Sequence, residues 1–131
     1  MNYELMREAI LLASTYTKRE LEDMLREEYQ EETITDKVVN TVLIEYNLTK
    51  DQILSKNRSR NLVEARHMAM HMVRKHCYHL RLVEMRDYFK RDHSSVIHGD
   101  RKTEDRLFYD DFREKYERVD HKVSQIMKDF A

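Results

Sequence analysis

Arg91-Asp92-His93-Ser94-Ser95-Val96-Ile97-His98 sets a good helix N-cap, Asp92, directly before three short polar side chains and then an apolar residue. Such a start predicts a helix from about residue 92 whose first turn displays His93, Ser94 and Ser95 beside Arg91. Compact donors and acceptors on a first helical turn are what a helix-turn-helix carries into the major groove of DNA, where they reach base edges. A plain capped surface helix gives the same local pattern, so the segments around it decide between the two readings.

Upstream, Leu62, Val63, Met68, Met70 and Met72 lie on a long helical run with Arg58, Arg60 and Arg66 at its entrance. Asn61 and Glu64 have capping-box spacing and are expected to open that helix, which runs to about His76. Met68, Met72 and Val73 would face the core, and Arg66, His67 and Arg74 would lie outward. Leu82, Val83, Met85, Tyr88 and Phe89 make a shorter apolar run, read as a helix over 80–89, with Lys90 and Arg91 as the turn and a second helix from Asp92 to about Arg106. Before the basic arm, Thr49 and Gln52 make another capping box for a short helix carrying Ile53 and Leu54. Thr35 is expected to start a helix with Val38, Val39, Val42, Leu43 and Tyr46. The outer segments read as a long amphipathic helix over residues 3–30, striped with Leu5, Ala9, Leu12 and Tyr16, and a last helix carrying Leu107, Phe108, Phe112, Tyr116, Val119, Val123 and Ile126.

Composition agrees with an all-α chain. The 131 residues contain no proline and one glycine, and 37% are charged, whereas sheet proteins draw on proline and glycine for their turns. One cysteine, Cys77, excludes an intramolecular disulfide, and its simplest role is a small buried hydrophobe. No apolar run approaches a membrane span and no secretory leader is legible, so a cytoplasmic chain without a membrane partner is expected. The formal net charge of −1 is segregated. Residues 55–102 hold twelve Lys or Arg against five Asp or Glu, residues 1–54 six against twelve, and residues 103–131 six against eight. A basic centre between acidic ends is an electrostatic footprint for phosphates.

Three ordered blocks carry a family resemblance: Lys56-Asn57-Arg58-Ser59-Arg60, then Ala65-Arg66-His67-Met68-Ala69-Met70, then Phe89-Lys90-Arg91-Asp92-His93-Ser94-Ser95-Val96 followed by His98-Gly99-Asp100-Arg101-Lys102. From Ile53 to Lys102 the chain resembles the C-terminal DNA-binding domain of the bacterial replication initiator DnaA. That family reads Lys-Arg-Arg-Ser-Arg, Pro-Arg-Gln-Met-Ala-Met, Phe-Gly-Gly-Arg-Asp-His-Thr-Thr-Val and His-Ala-Cys-Arg-Lys. The resemblance implies an all-α, Trp-repressor-like helix-turn-helix over 33–106; the N-terminal helix of 1–32 has no counterpart in it, and that helix and the C-terminal helix of 107–131 rest on their apolar spacing alone.

It also implies roles. The arginine matching Arg58 enters the minor groove, where a guanidinium suits the negative potential over A·T steps, and Arg60 would be its neighbour. Arg66 and His67 would approach the major groove from the long helix, Arg66 forking onto a guanine. Asp92, His93, Ser94 and Ser95 would read bases or grip phosphate beside Arg91, and Arg74 would touch phosphate. The departures are the paired threonines replaced by Ser94 and Ser95, glutamine by His67, proline by Ala65, a basic residue by Glu64, and a turn that has lost a residue and its glycines. Losing the threonine methyls weakens any discrimination for thymine, and the glycine-free turn leaves the target sequence open.

An ATPase of the initiator kind needs a glycine-rich loop ending in Gly-Lys-Ser or Gly-Lys-Thr, which the lone Gly99 does not supply. The expectation is therefore a non-enzymatic binder of double-stranded DNA, without cofactor or nucleotide, regulating replication or transcription or serving a mobile element. Either terminal helix offers a homodimer contact for paired half-sites. The competing reading is a helical protein-interaction module that has kept the domain but lost the DNA. His67, His71, His76, Cys77 and His79 include good zinc-ligand types, but the last three project from different helix faces, so no metal site is assigned.

Overall fold

The structure, a computed structural model, describes residues 32–130. The helix expected over residues 3–30, whose apolar stripe would serve an interaction module, lies outside them.

Local signals start and stop the first two helices. Thr33 accepts from the Asp36 amide at 3.1 Å while the Asp36 carboxylate accepts from the Thr33 amide at 3.2 Å, so the capping box sits two residues before the expected Thr35 start. Helix α1 (Ile34–Tyr46) then ends on Asn47 in the left-handed region, φ 54°. The Asn47 amide donates to Ile44 and the Leu48 amide to Leu43, the paired bonds of a Schellman stop. The Thr49–Gln52 box opens α2 (Lys50–Leu54) as expected.

The long helix α3 (Arg60–His76) is the centre of the fold. Its N-cap is Ser59, without a side-chain cap bond, so the capping box expected of Asn61 and Glu64 does not form. Glu64 is engaged elsewhere: it accepts from Tyr46 at 2.6 Å and from Lys115 at 3.4 Å, tying α3 to its neighbours. Burial and then this carboxylate push the Tyr46 phenol well above its ordinary range.

Helices α4 (Leu82–Phe89) and α5 (His93–Arg106) form the expected helix-turn-helix. The turn pivots on Lys90 at φ 53°, and the Arg91 amide donates back to the Arg86 carbonyl at 3.2 Å. A side chain with a Cβ therefore holds a conformation that favours glycine, at a cost of roughly 1–2 kcal/mol. Lys90 takes this left-handed position without a glycine.

The last helix, α6 (Asp110–Asp129), packs back rather than extending. It begins after Phe108, which is 84% exposed, contrary to its expected place on the apolar stripe. Val119 and Val123 of α6 are fully buried in the same core as Val38, Val39 and Val42 of α1, Met68, Met72 and Val73 of α3, Phe89 of α4 and Val96 of α5. Cys77 lies in this core as a buried small hydrophobe, its thiol pushed up by burial. The described part is thus all-α, with α5 held against α3 and its N-terminus facing the arm that follows α2.

Candidate nucleic-acid interface

Four elements meet at one groove of about 840 Å³. The arm contributes Lys56 and Arg58, α3 contributes Val63, Arg66, His67 and Met70, the turn contributes Lys90 and Arg91, and α5 contributes Asp92, Ser94, Ser95 and His98. Val63, Arg66, His67 and Met70 share a helix face by their spacing, as Ser94, Ser95 and His98 do. Lys56, Lys90 and His98 were not singled out from the sequence as site residues. All three stand in the matched blocks, and Lys90 also marks the turn.

Two arginines hold the groove's shape. Arg66 is buried, correcting the expectation that it lies outward. Its Nε donates to the Ile53 carbonyl at 2.7 Å, and its Nη2 to the Ser55 and Asn57 carbonyls at 2.9 and 3.1 Å. Burial and then the neighbouring Arg91 and Arg58 lower its pKa, although a guanidinium stays charged. Arg91 lies across the same strand of chain, its Nη2 donating to Ser55 and its Nη1 to Leu54, Phe89 and Lys90. Together they fasten the exit of α2 and the start of the arm to α3 and to the turn of the helix-turn-helix.

Around that frame, Arg58, Arg60, His93 and Ser94 are exposed, and Ser95 is half-buried. Arg60 and His93 lie off the groove lining. Asp92 caps α5 by accepting from the Ser95 amide at 2.8 Å, a bond that also lowers its pKa. Arg74 is not free for phosphate as placed: it donates to Asp100 at 2.8 Å and lines a different, smaller cleft. Asp100 also accepts from His71 at 2.8 Å, and His71 meets the Tyr116 hydroxyl at 2.7 Å. This chain of polar contacts fixes α5 against α3 and α6.

The only glycine, Gly99, lets α3 and α5 approach, since a Cβ there would lie 2.6 Å from Met70 Sδ and 3.1 Å from His67 Cδ2. His67 is half-buried in this contact rather than outward. Its Nδ1 lies 2.9 Å from Arg106 Nη1, and its ring packs edge-on to His98. Burial first, then Arg106, His98, Arg66 and Lys102, bring its pKa down to about 4. An unfolded chain with an ordinary histidine near 6.5 then binds more protons than the folded one between those values. Stability accordingly falls as pH drops from about 6.5 to 4, with this contribution levelling off below. Melting curves across that window should show the loss for the wild type and a flatter profile for His67→Gln; parallel profiles would contradict the burial of a neutral ring.

Among the described residues His71, Asp100 and Glu104 have possible metal-ligand atoms within 4.8 Å of one another. Both ring nitrogens of His71 are already bonded and Asp100 carries Arg74, so the group reads as an internal polar network. Of His67, His71, His76, Cys77 and His79, His71 alone belongs to such a group among the described residues, and its partners there are carboxylates rather than the other four. No described helix is long and apolar enough to cross a membrane.

Residues 35–103 match the family described as the bacterial DnaA protein helix-turn-helix. The chain is similar to the chromosomal replication initiator protein DnaA of Nautilia profundicola, 28% identical over 114 residues that cover 86% of this chain and 26% of that protein. It is 30% identical over 100 residues to DnaA 2 of Protochlamydia amoebophila, covering 76% and 22%, and 31% identical over 111 residues to DnaA of Sulfurimonas denitrificans, covering 83% and 25%. The chain spans about a quarter of the length of the curated relatives it matches.

Proposed function

Because this chain belongs to the bacterial DnaA helix-turn-helix family, we propose that residues 33–106 bind double-stranded DNA in a sequence-specific way, with α5 entering the major groove and the arm at Arg58 the adjacent minor groove. The observation that carries this reading is the convergence of Lys56, Arg58, Lys90, Ser94, Ser95 and His98 on one groove from separate elements. A solvated helix face would not need the arm to be pinned beside the turn by two arginines that spend their donors on carbonyls.

Arg58 and Arg60 grip the minor groove and its edge, while His67, Asp92, His93, Ser94 and Ser95 meet bases or phosphates. Arg66 and Arg91 position the arm. Arg74 reaches phosphate only if it leaves Asp100. Residues 1–32 serve as an arm and 107–131 as a bracing helix, either of them offering a contact for a second copy on paired half-sites. The biological role is regulation of replication or transcription. The chain's single glycine lies inside α5, which fits a binder that does not itself cradle and hydrolyse ATP.

Selection of bound fragments from random duplexes, followed by anisotropy titrations, tests this. Arg58→Ala weakens binding to every duplex and most on A·T-rich flanks, whereas His93→Ala or Ser94→Ala relaxes base preference by about 1–3 kcal/mol. If all three variants bind the selected duplex as the wild type does, the interface is misassigned.

A further inference from the structure

The geometry points to His67 as a base reader that can only donate, its tautomer set by Arg106. This inference rests on the proposed DNA reading and adds to it a residue, Arg106, that lies beyond the family-matched residues 35–103.

A guanidinium has donors and no acceptor, so the 2.9 Å contact from Arg106 Nη1 requires a lone pair on His67 Nδ1. The neutral ring therefore carries its hydrogen on Nε2. That nitrogen has no hydrogen-bond partner among the described residues, yet it is not a buried unsatisfied atom, so it reaches solvent. His67 lines the groove together with Ser94, Ser95 and His98.

The ring is also held in place. His98 packs edge-on with centroids 5.6 Å apart, and Gly99 leaves room beside Cδ2 where a Cβ would come within 3.1 Å. The groups acting on it electrostatically are Arg106, His98 and Lys102 from α5 and Arg66 from its own helix. All of them disfavour a second proton when charged, so the ring offers one hydrogen to the groove and accepts nothing there.

The family's glutamine at this position carries a donor and an acceptor on one amide and can adapt to either kind of base edge. His67 lacks that choice. Guanine O6 and N7, adenine N7 and thymine O4 are acceptors in the major groove, whereas cytosine presents its amino donor there. A base pair read by His67 must therefore turn an acceptor toward it, and cytosine at that place is rejected. Arg106 acts as a positioning residue, without touching the base.

The test uses the full chain labelled with ¹⁵N-histidine. Long-range ¹H–¹⁵N spectra at pH 6 should show the Nε2–H tautomer of a neutral His67, and Arg106→Met should give mixed tautomers and a ring that titrates nearer 6.5. In duplex selection the wild type should exclude cytosine at one position. His67→Gln and Arg106→Met should each reduce that exclusion by roughly 2- to 12-fold, the range of one hydrogen bond. An Nδ1–H or doubly protonated ring in the wild type overturns the proposal, as does an unchanged base preference in His67→Gln. A wild type that ignores every duplex brings down the DNA reading and the base-reading role together, and the spectra then report on the tautomer alone.

Discussion

Arg66→Ala lowers the stability of the folded unit by about 2–4 kcal/mol, because three carbonyls lose a charged donor and one of them belongs to the buried Ile53. For a unit of this size the melting temperature falls on the order of 10–20 °C. Arg66→Lys recovers little of it, since one ammonium cannot reproduce a planar fork spanning the Ile53, Ser55 and Asn57 carbonyls. Duplex affinity drops as well, through release of the arm that carries Arg58. Arg58→Ala is the matched control: Arg58 is exposed and has no ion pair among the described residues, so its stability stays within the roughly 0.5 kcal/mol expected of a surface change while its affinity falls. The result that would restore the guanine-reading role expected from the sequence is an Arg66→Ala protein that melts like the wild type and loses base preference alone.

That contrast shows where the sequence was legible. Signals that span three or four residues read correctly: the Thr49–Gln52 box, the Asp92 cap, and the helix-turn-helix order around Lys90. Asn61 and Glu64 share the spacing of a box, but Tyr46 and Lys115, distant in sequence, claim the Glu64 carboxylate. Arg66 looked like a surface cation because nothing nearby in sequence foretells carbonyls 9 to 13 residues upstream folding back over it. Arg74 and His71 depend in the same way on Asp100, which stands where the family pattern has cysteine. Phe108 kept helical spacing with Phe112 yet falls in the turn before α6, so periodicity carried across a helix boundary that it does not mark. Charge type is readable from sequence; whether a charge is already spent on a partner is a property of the fold.

The salt dependence of binding separates those two levels. Twelve cations lie between residues 55 and 102, and if all met phosphates the slope of log affinity against log salt would be near −11. The fold withdraws half of them. Arg74, Lys75, Arg81 and Arg86 pair with carboxylates, and Arg66 and Arg91 donate to backbone carbonyls. Lys56, Arg58, Arg60, Lys90, Arg101 and Lys102 remain exposed, with no ion pair or hydrogen bond from their side chains among the described residues. Lys56, Arg58 and Lys90 line the groove, and Lys102 is close enough to act on His67. Four to six phosphate contacts give a slope of about −3.6 to −5.4, so raising salt from 50 to 200 mM weakens binding on the order of a hundred- to a thousandfold. Arg58→Ala should make the slope shallower by about one, whereas Arg74→Met should leave it unchanged because its charge is held by Asp100. A slope near −11, or an Arg74→Met variant that loses a full unit, would mean the internal ion pairs open on DNA and the groove is wider than the free protein presents; a slope near zero would mean that no phosphates are held at all.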